Sequence, residues 1–244
     1  MISFELALIC VAALAGAVAS VCGFGIGSLL TPLLCLNFDP KIAVSLVAIP
    51  HFVGTAIRCW NHRSHINRHV LLSFGATSAA GGLIGACLHN SISSPLLLAF
   101  FGVILIFSGI LGMTGWNKKL HFEGRWAWLA GAFSGAFGGL VGNQGGIRSA
   151  ALLAFDLDKN AFVATATAVG LLVDFARIPI YLYSSFEDIR KAAPLLAVAS
   201  LSVAFGTLAG TLILNKIPEQ IFRRVVSAII LGLGIWILFQ VTFH

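Results

Sequence analysis

Gly16-Ala17-Val18-Ala19-Ser20-Val21-Cys22-Gly23-Phe24-Gly25-Ile26-Gly27 and Gly131-Ala132-Phe133-Ser134-Gly135-Ala136-Phe137-Gly138-Gly139-Leu140-Val141-Gly142 are Gly-rich, deeply apolar stretches that read as copies of one another. Leu-Ala-Gly-Ala opens each of them, at 14–17 and 129–132, and each heads one half of the chain. A single glycine cluster in an apolar helix is a packing seam. Two in corresponding positions of a duplicated membrane chain predict paired broken helices around a central binding site, which makes transport the leading expectation.

Composition decides the solvent. Hydrophobic residues fill 58% of 244 positions and charged residues only 10%, against about a quarter charged in a soluble domain. The chain reads as an all-α polytopic membrane protein whose partner is the lipid bilayer. Its net charge of +6 does not point to nucleic acid, because the Lys and Arg gather between apolar segments, where they set orientation. The five cysteines stand singly at 10, 22, 35, 59 and 87 and read as small apolar packers. Glu5 stands where a signal peptide would carry its basic region, and apolar sequence runs on past Cys22.

Apolar runs fall near 6–36, 42–57, 70–88, 95–114, 126–155, 160–183, 192–214 and 221–243. Most approach the roughly 20 residues that cross hydrocarbon. The runs 6–36 and 126–155, which hold the glycine clusters, are too long for one crossing; a continuous helix over either would measure about 45 Å. Both are expected to break or re-enter at the glycines. The repeat extends further: Arg58 pairs with Arg177, Gly81 with Gly206, Gly85 with Gly210 and Gly109 with Gly234, with the spacing drifting from 115 to 119 to 125. Two homologous repeats of about four apolar segments each follow, the first helix of each broken at its Gly-rich cluster: residues 1–114, a polar link at 115–125, and residues 126–244.

Basic residues set the sidedness. Arg58, Arg63 and Arg68 with three histidines mark the 58–69 link, and Lys118, Lys119 and Arg125 mark the second; both links are expected in the cytoplasm. Trp60, Trp116, Trp126 and Trp128 flank them as an interfacial belt. Single crossings of the long runs make the halves parallel. Double crossings make them inverted and bring Lys216, Arg223 and Arg224 inside, which the charge distribution mildly favours.

At its glycine clusters the chain resembles the TauE/SafE family of sulfite and organosulfonate exporters, small bacterial anion permeases, over essentially its full length. The first signature reads Gly23-Phe24-Gly25-Ile26-Gly27-Ser28-Leu29-Leu30-Thr31-Pro32-Leu33-Leu34. The second reads Gly138-Gly139-Leu140-Val141-Gly142-Asn143-Gln144-Gly145-Gly146-Ile147-Arg148-Ser149. The resemblance implies a multi-pass protein of the bacterial inner membrane that exports sulfite or another small anion. The departures are an alternating first cluster, Asn-Gln followed by Arg148 in the second, and the absence there of a counterpart to Pro32.

In the second cluster, a helix restarting after Gly145-Gly146 aims free N–H groups inward. Asn143, Gln144 and Ser149 add donors, and Arg148 adds a planar fork suited to sulfite or sulfonate oxygens. The bland alternative is close helix packing at the glycines with Arg148 reaching an interface. Gly25, Gly27, Ser28 and Thr31 are the counterpart in the first half, although Thr31 could instead serve the carbonyl that Pro32 leaves unpaired. Asp174, the acidic residue well inside a predicted span, has Arg177 three positions on, as a structural ion pair or as a site of proton coupling. His51 suits a proton relay or a bond to a backbone carbonyl. Arg58 is expected to anchor the interface. His62, His65 and His69 belong to a basic loop, and no metal site or cofactor is expected.

No nucleophile–base motif or phosphate loop supports an enzyme. Three classes stay open: a secondary transporter of a small anion, by resemblance an exporter and in principle proton-coupled; an anion channel; and a membrane scaffold or assembly protein that moves nothing. A homo-oligomer is admitted but not required.

Overall fold

The structure, a computed structural model, describes residues 2–114, 125–143, 145–152, 155, 157–213 and 219–243. Most of the polar link expected at 115–125 lies outside them, as do Gln144 and Lys216. The regular structure among the described residues is all helical, without strands. The first half runs α1 (Ile2–Cys22), α2 (Ile26–Leu34), α3 (Pro40–His62), α4 (Arg68–Val70), α5 (Ala76–His89) and α6 (Ser94–Thr114). The second runs α7 (Arg125–Val141), α8 (Gly145–Leu152), α9 (Lys159–Ser184), α10 (Phe186–Lys191), α11 (Ala193–Ile213) and α12 (Glu219–Phe243). A π-helical turn at Leu71–Gly75 joins α4 to α5, and the rod Arg68–His89 is one of five stretches among the described residues long and apolar enough to cross a membrane.

Local chemistry sets the boundaries. Asp39 caps α3, its carboxylate accepting from Lys41 N at 2.9 Å with Pro40 at the first helical position. Asp158 caps α9 in the same way through Asn160 N and Ala161 N. Both long apolar runs are broken at their glycines. Gly23 takes φ 78° after α1 and Gly142 takes φ 75° after α7, a left-handed conformation that glycine enters without a Cβ penalty.

This match corrects the expected register. Gly23 corresponds to Gly142 and Ala19 to Gly138, an offset of 119, whereas the paired Leu-Ala-Gly-Ala motifs align Gly23 with Gly138. The error is one helical turn. A slip of four residues keeps the same helix face, so the glycine pattern looks alike in either register.

Packing crosses between the halves. α1 lies along α11 with its backbone at Gly16 against Val203 and Thr207, and Gly206 and Gly210 against Ala13 and Ala17. The counterpart pair, α5 and α7, meets at Gly81 and Gly85 against Ala132 and Ala136, and at Gly135 and Gly139 against Ser78 and Gly82. Numbers rise together along both pairs, so each is parallel. The α6–α12 pair is antiparallel, with Gly102 against Leu238 and Gly109 against Leu231. So is the α3–α9 pair, through Ser45–Ser185, His51–Asp174 and the Asn67–Thr165 contact just beyond α3. The α6–α12 and α3–α9 pairs, which join the two halves of the chain, are thus antiparallel.

The start of α12, with Arg224, consequently falls on the same side as the 58–69 link. Trp60, Trp126 and Trp128 are exposed on the protein surface. Cys10 and Cys87 are exposed rather than packed inside, a departure from the expected role; facing lipid, a thiol behaves as a small apolar group.

Candidate functional site

A chain break in the middle of an apolar helix leaves its last carbonyls without intrahelical donors, which hydrocarbon cannot supply. Two arginines add donors at these ends, on carbonyls that already accept one backbone bond each, Ala19 O from Gly23 N and Gly138 O from Gly142 N. Arg58 Nη1 donates to Ala19 O at 2.7 Å at the end of α1, and Arg177 Nη1 donates to Gly138 O at 2.7 Å at the end of α7. Tyr181 Oη donates to the next carbonyl, Gly139 O. Arg58 is 4% exposed, so it is an internal helix cap and not the interface anchor expected. Its Nη2 also donates to Thr55 Oγ1 at 3.3 Å.

The two arginines differ in their counterion. Three residues before Arg177 stands Asp174, fully buried, whose Oδ1 accepts from Arg177 Nε at 3.0 Å and Nη2 at 2.8 Å. Three residues before Arg58 stands the neutral Thr55. The other carboxylate oxygen, Asp174 Oδ2, meets His51 Nδ1 at 2.7 Å across the α3–α9 contact, and Thr55 Oγ1 lies 3.4 Å from the same nitrogen. His51, Asp174 and Arg177 therefore form one polar chain in the core. His51 is bonded to a carboxylate and not to the backbone carbonyl that the bland alternative offered.

Arg148 enters from α8. It is 2% exposed, and its guanidinium rests on Gly170 of α9, where a Cβ would come within 2.6 Å of Nη1. Nη2 reaches Gly23 O at 3.4 Å, while Nε and Nη1 have no partner. Arg148 is within Coulombic reach of Arg58, Asp174 and Arg177.

The residues expected around the glycines are partly gathered here. Gly27 packs against the backbone of Gly142 and Asn143, and Gly145 against Phe24, so the two breaks touch. Asn143 and Ser28 are buried with Asn143 Nδ2 and Ser28 Oγ unpartnered. Ser149 is buried, and Gly25, packed against Val18, takes φ 136° at the start of α2. Gly146 lies in the first turn of α8. Thr31 is also unpartnered but lines a small apolar gap with Val44, Leu97 and Phe101. Thr55, Gly170 and Tyr181 belong to the site and were not anticipated; applying the 119 offset to His51, Asp174 and Arg177 would have singled out Gly170, Thr55 and Arg58. No metal-ligand cluster occurs among the described residues.

Paired broken helices that meet inside the protein recur in secondary transporters. The sulfite exporter TauE/SafE family model matches residues 8–237. The chain belongs to the TauE/SafE family. A probable membrane transporter protein of Methanocaldococcus jannaschii is 25% identical over 256 residues, covering 95% of this chain and 94% of the relative. No solved structure matches. As a TauE/SafE member the protein is a multi-pass membrane transporter rather than an enzyme, and its exposed apolar side chains, among them Leu72, Leu201, Phe205 and Phe239, are the lipid-facing surface.

Proposed function

We propose that this transporter exports a small anion, sulfite or an organosulfonate, and that it does so by secondary transport coupled to protons. The observation that carries the reading is Arg148, a buried guanidinium with Nε and Nη1 unpaired. An unpaired polar group removed from water is costly, and more so when charged. A planar fork matches two oxygens of a sulfite or sulfonate group. Asn143 and Ser28 add unpartnered donors from the two breaks, and Gln144, Gly145, Gly146, Ser149, Gly25, Gly27 and Thr31 complete the proposed binding set.

The proton route in this proposal is the His51–Asp174 contact. An imidazole titrates near neutral pH, and its acceptor is tied to Arg177. A proton arriving at His51 strengthens the bond to the carboxylate and adds positive charge near Arg177 and Arg58, which links occupancy of the anion site to pH. Residues 1–114 and 126–244 act as the two inverted halves, rocking against each other about the touching breaks to alternate access.

The test is uptake of radiolabelled sulfite into proteoliposomes, with and without an imposed pH gradient. Saturable, gradient-driven uptake, competed by sulfonates that carry a second negative charge, is the expected result. Arg148→Ala should abolish it in folded protein, and Arg148→Lys should rescue poorly, since an ammonium is a point charge. Full activity in Arg148→Ala would remove the proposed site.

A further inference from the structure

We infer that the site is built for an oxyanion carrying two negative charges. This rests on the anion-transport reading above and adds the charge class of the substrate. Arg58, Arg148 and Arg177 are all buried, and a guanidinium stays protonated in proteins. Asp174 is the acidic group in contact with them among the described residues. Three positive charges face one negative charge, and a neutral His51 leaves that balance unchanged.

Helix-end charges do not alter the count. The negative carbonyl ends of α1 and α7 are followed across the same short breaks by the positive amide ends of α2 and α8. The remaining charge is moreover localised. Arg177 is matched by Asp174. Arg58 has neutral acceptors only, in Ala19 O, Gly54 O and Thr55 Oγ1. Arg148 has one long bond to Gly23 O and two open nitrogens. Arg58 and Arg148 are thus the unmatched cations, and they lie within Coulombic reach of one another.

A singly charged anion leaves one buried guanidinium without a counterion. A doubly charged one matches both. Breaking a buried charge pair by removing one partner is strongly unfavourable, so the same arrangement that accepts a dianion discriminates against a monoanion of equal size. Sulfate and the doubly ionised form of sulfite fit this class, and methanesulfonate, a monoanion with the same oxygen geometry at sulfur, does not.

The experiment is direct binding of sulfate and methanesulfonate to the purified full-length protein in detergent at alkaline pH, by calorimetry, with thermal unfolding as the fold control. Sulfate should bind at least ~30-fold more tightly than methanesulfonate. Arg148→Gln removes one positive charge and should erase that preference, with sulfate losing at least ~30-fold more affinity than methanesulfonate loses. Equal affinities in the wild-type protein would overturn the charge class while leaving anion binding intact. Binding of neither anion, and no binding of sulfite, would remove the anion reading itself. If Arg148→Gln fails to fold, the wild-type comparison alone decides.

Discussion

Gly170→Ala separates the seating of Arg148 from the stability of the fold. Gly170 sits inside α9, one turn before Asp174, and a Cβ there would stand 2.6 Å from Arg148 Nη1, 3.3 Å from Cζ and 3.6 Å from Nη2. Non-bonded heavy atoms settle at about 3.5–4.0 Å, so the guanidinium must withdraw by ~1 Å. The clash falls on the end of a flexible side chain, not on backbone, and α9 itself is left in place. Within a helix, alanine is favoured over glycine by about 0.5–1 kcal/mol. The unfolding temperature should therefore hold or rise. Flux should fall by about 100-fold, because a ~1 Å misplacement of a positioning group carries a cost of that order. Sulfite uptake in proteoliposomes and thermal unfolding in detergent, on the same preparation, read the two effects separately. Unchanged uptake would refute the claim that Arg148 must rest on Gly170 to hold the anion. Lost uptake together with a lowered unfolding temperature would assign the effect to packing damage instead.

The remaining predictions concern the proton route and the helix seams. His51→Gln keeps the Asp174–Arg177 ion pair while removing the titrating ring, so uptake should persist but stop responding to a pH gradient; a retained response would return His51 to a structural role. Asp174→Asn is the harsher probe, because it leaves Arg177 buried without its counterion and should destabilise the protein by about 3–5 kcal/mol. Gly135→Ala drives a methyl into the Ser78 backbone between α5 and α7 and should lower stability by about 1–3 kcal/mol. Gly232→Ala, with nothing within 4 Å of the added carbon, is its unhindered control in the same unfolding assay and should hold or raise stability.

The membrane class, the helix boundaries and the two breaks were legible because they follow from residue chemistry at short range. Apolar runs such as 6–19 and 95–107 admit few solvents, and a run too long for one crossing has to break where its glycine cluster allows it. The register between the halves was not legible in the same way. A shift of four residues preserves a helical face, so matching glycines alone could not separate offsets of 115 and 119. The role of Arg58 was missed for a related reason: in the sequence it borders a basic link, and only the packing of α3 on α1 turns it toward Ala19 O. Residue type identified Asp174 and Arg177 as partners because they lie on one helix. The bond from His51 to Asp174 spans 123 positions, and no local pattern encodes it.

Arg148 is the charged residue that structural need does not explain. A central arginine costs about 2.5–3.5 kcal/mol on membrane-insertion scales, so each requires a return. Arg58 and Arg177 have one: each donates to a carbonyl in the last turn of a broken helix, Ala19 O of α1 and Gly138 O of α7, and so ties α3 to α1 and α9 to α7. The same two-fold arrangement offers position 29, a leucine, as the counterpart of Arg148, and position 51, a histidine, as the counterpart of Gly170. The first half keeps its break intact with an apolar residue at the place where the second half carries a guanidinium. A break of this kind therefore does not demand the charge. The second half nonetheless leaves α9 without a side chain at Gly170 and fills that space with a cation whose strongest donors are unused. A packing role would predict partners for Nε and Nη1; a role in binding predicts their absence until an anion arrives.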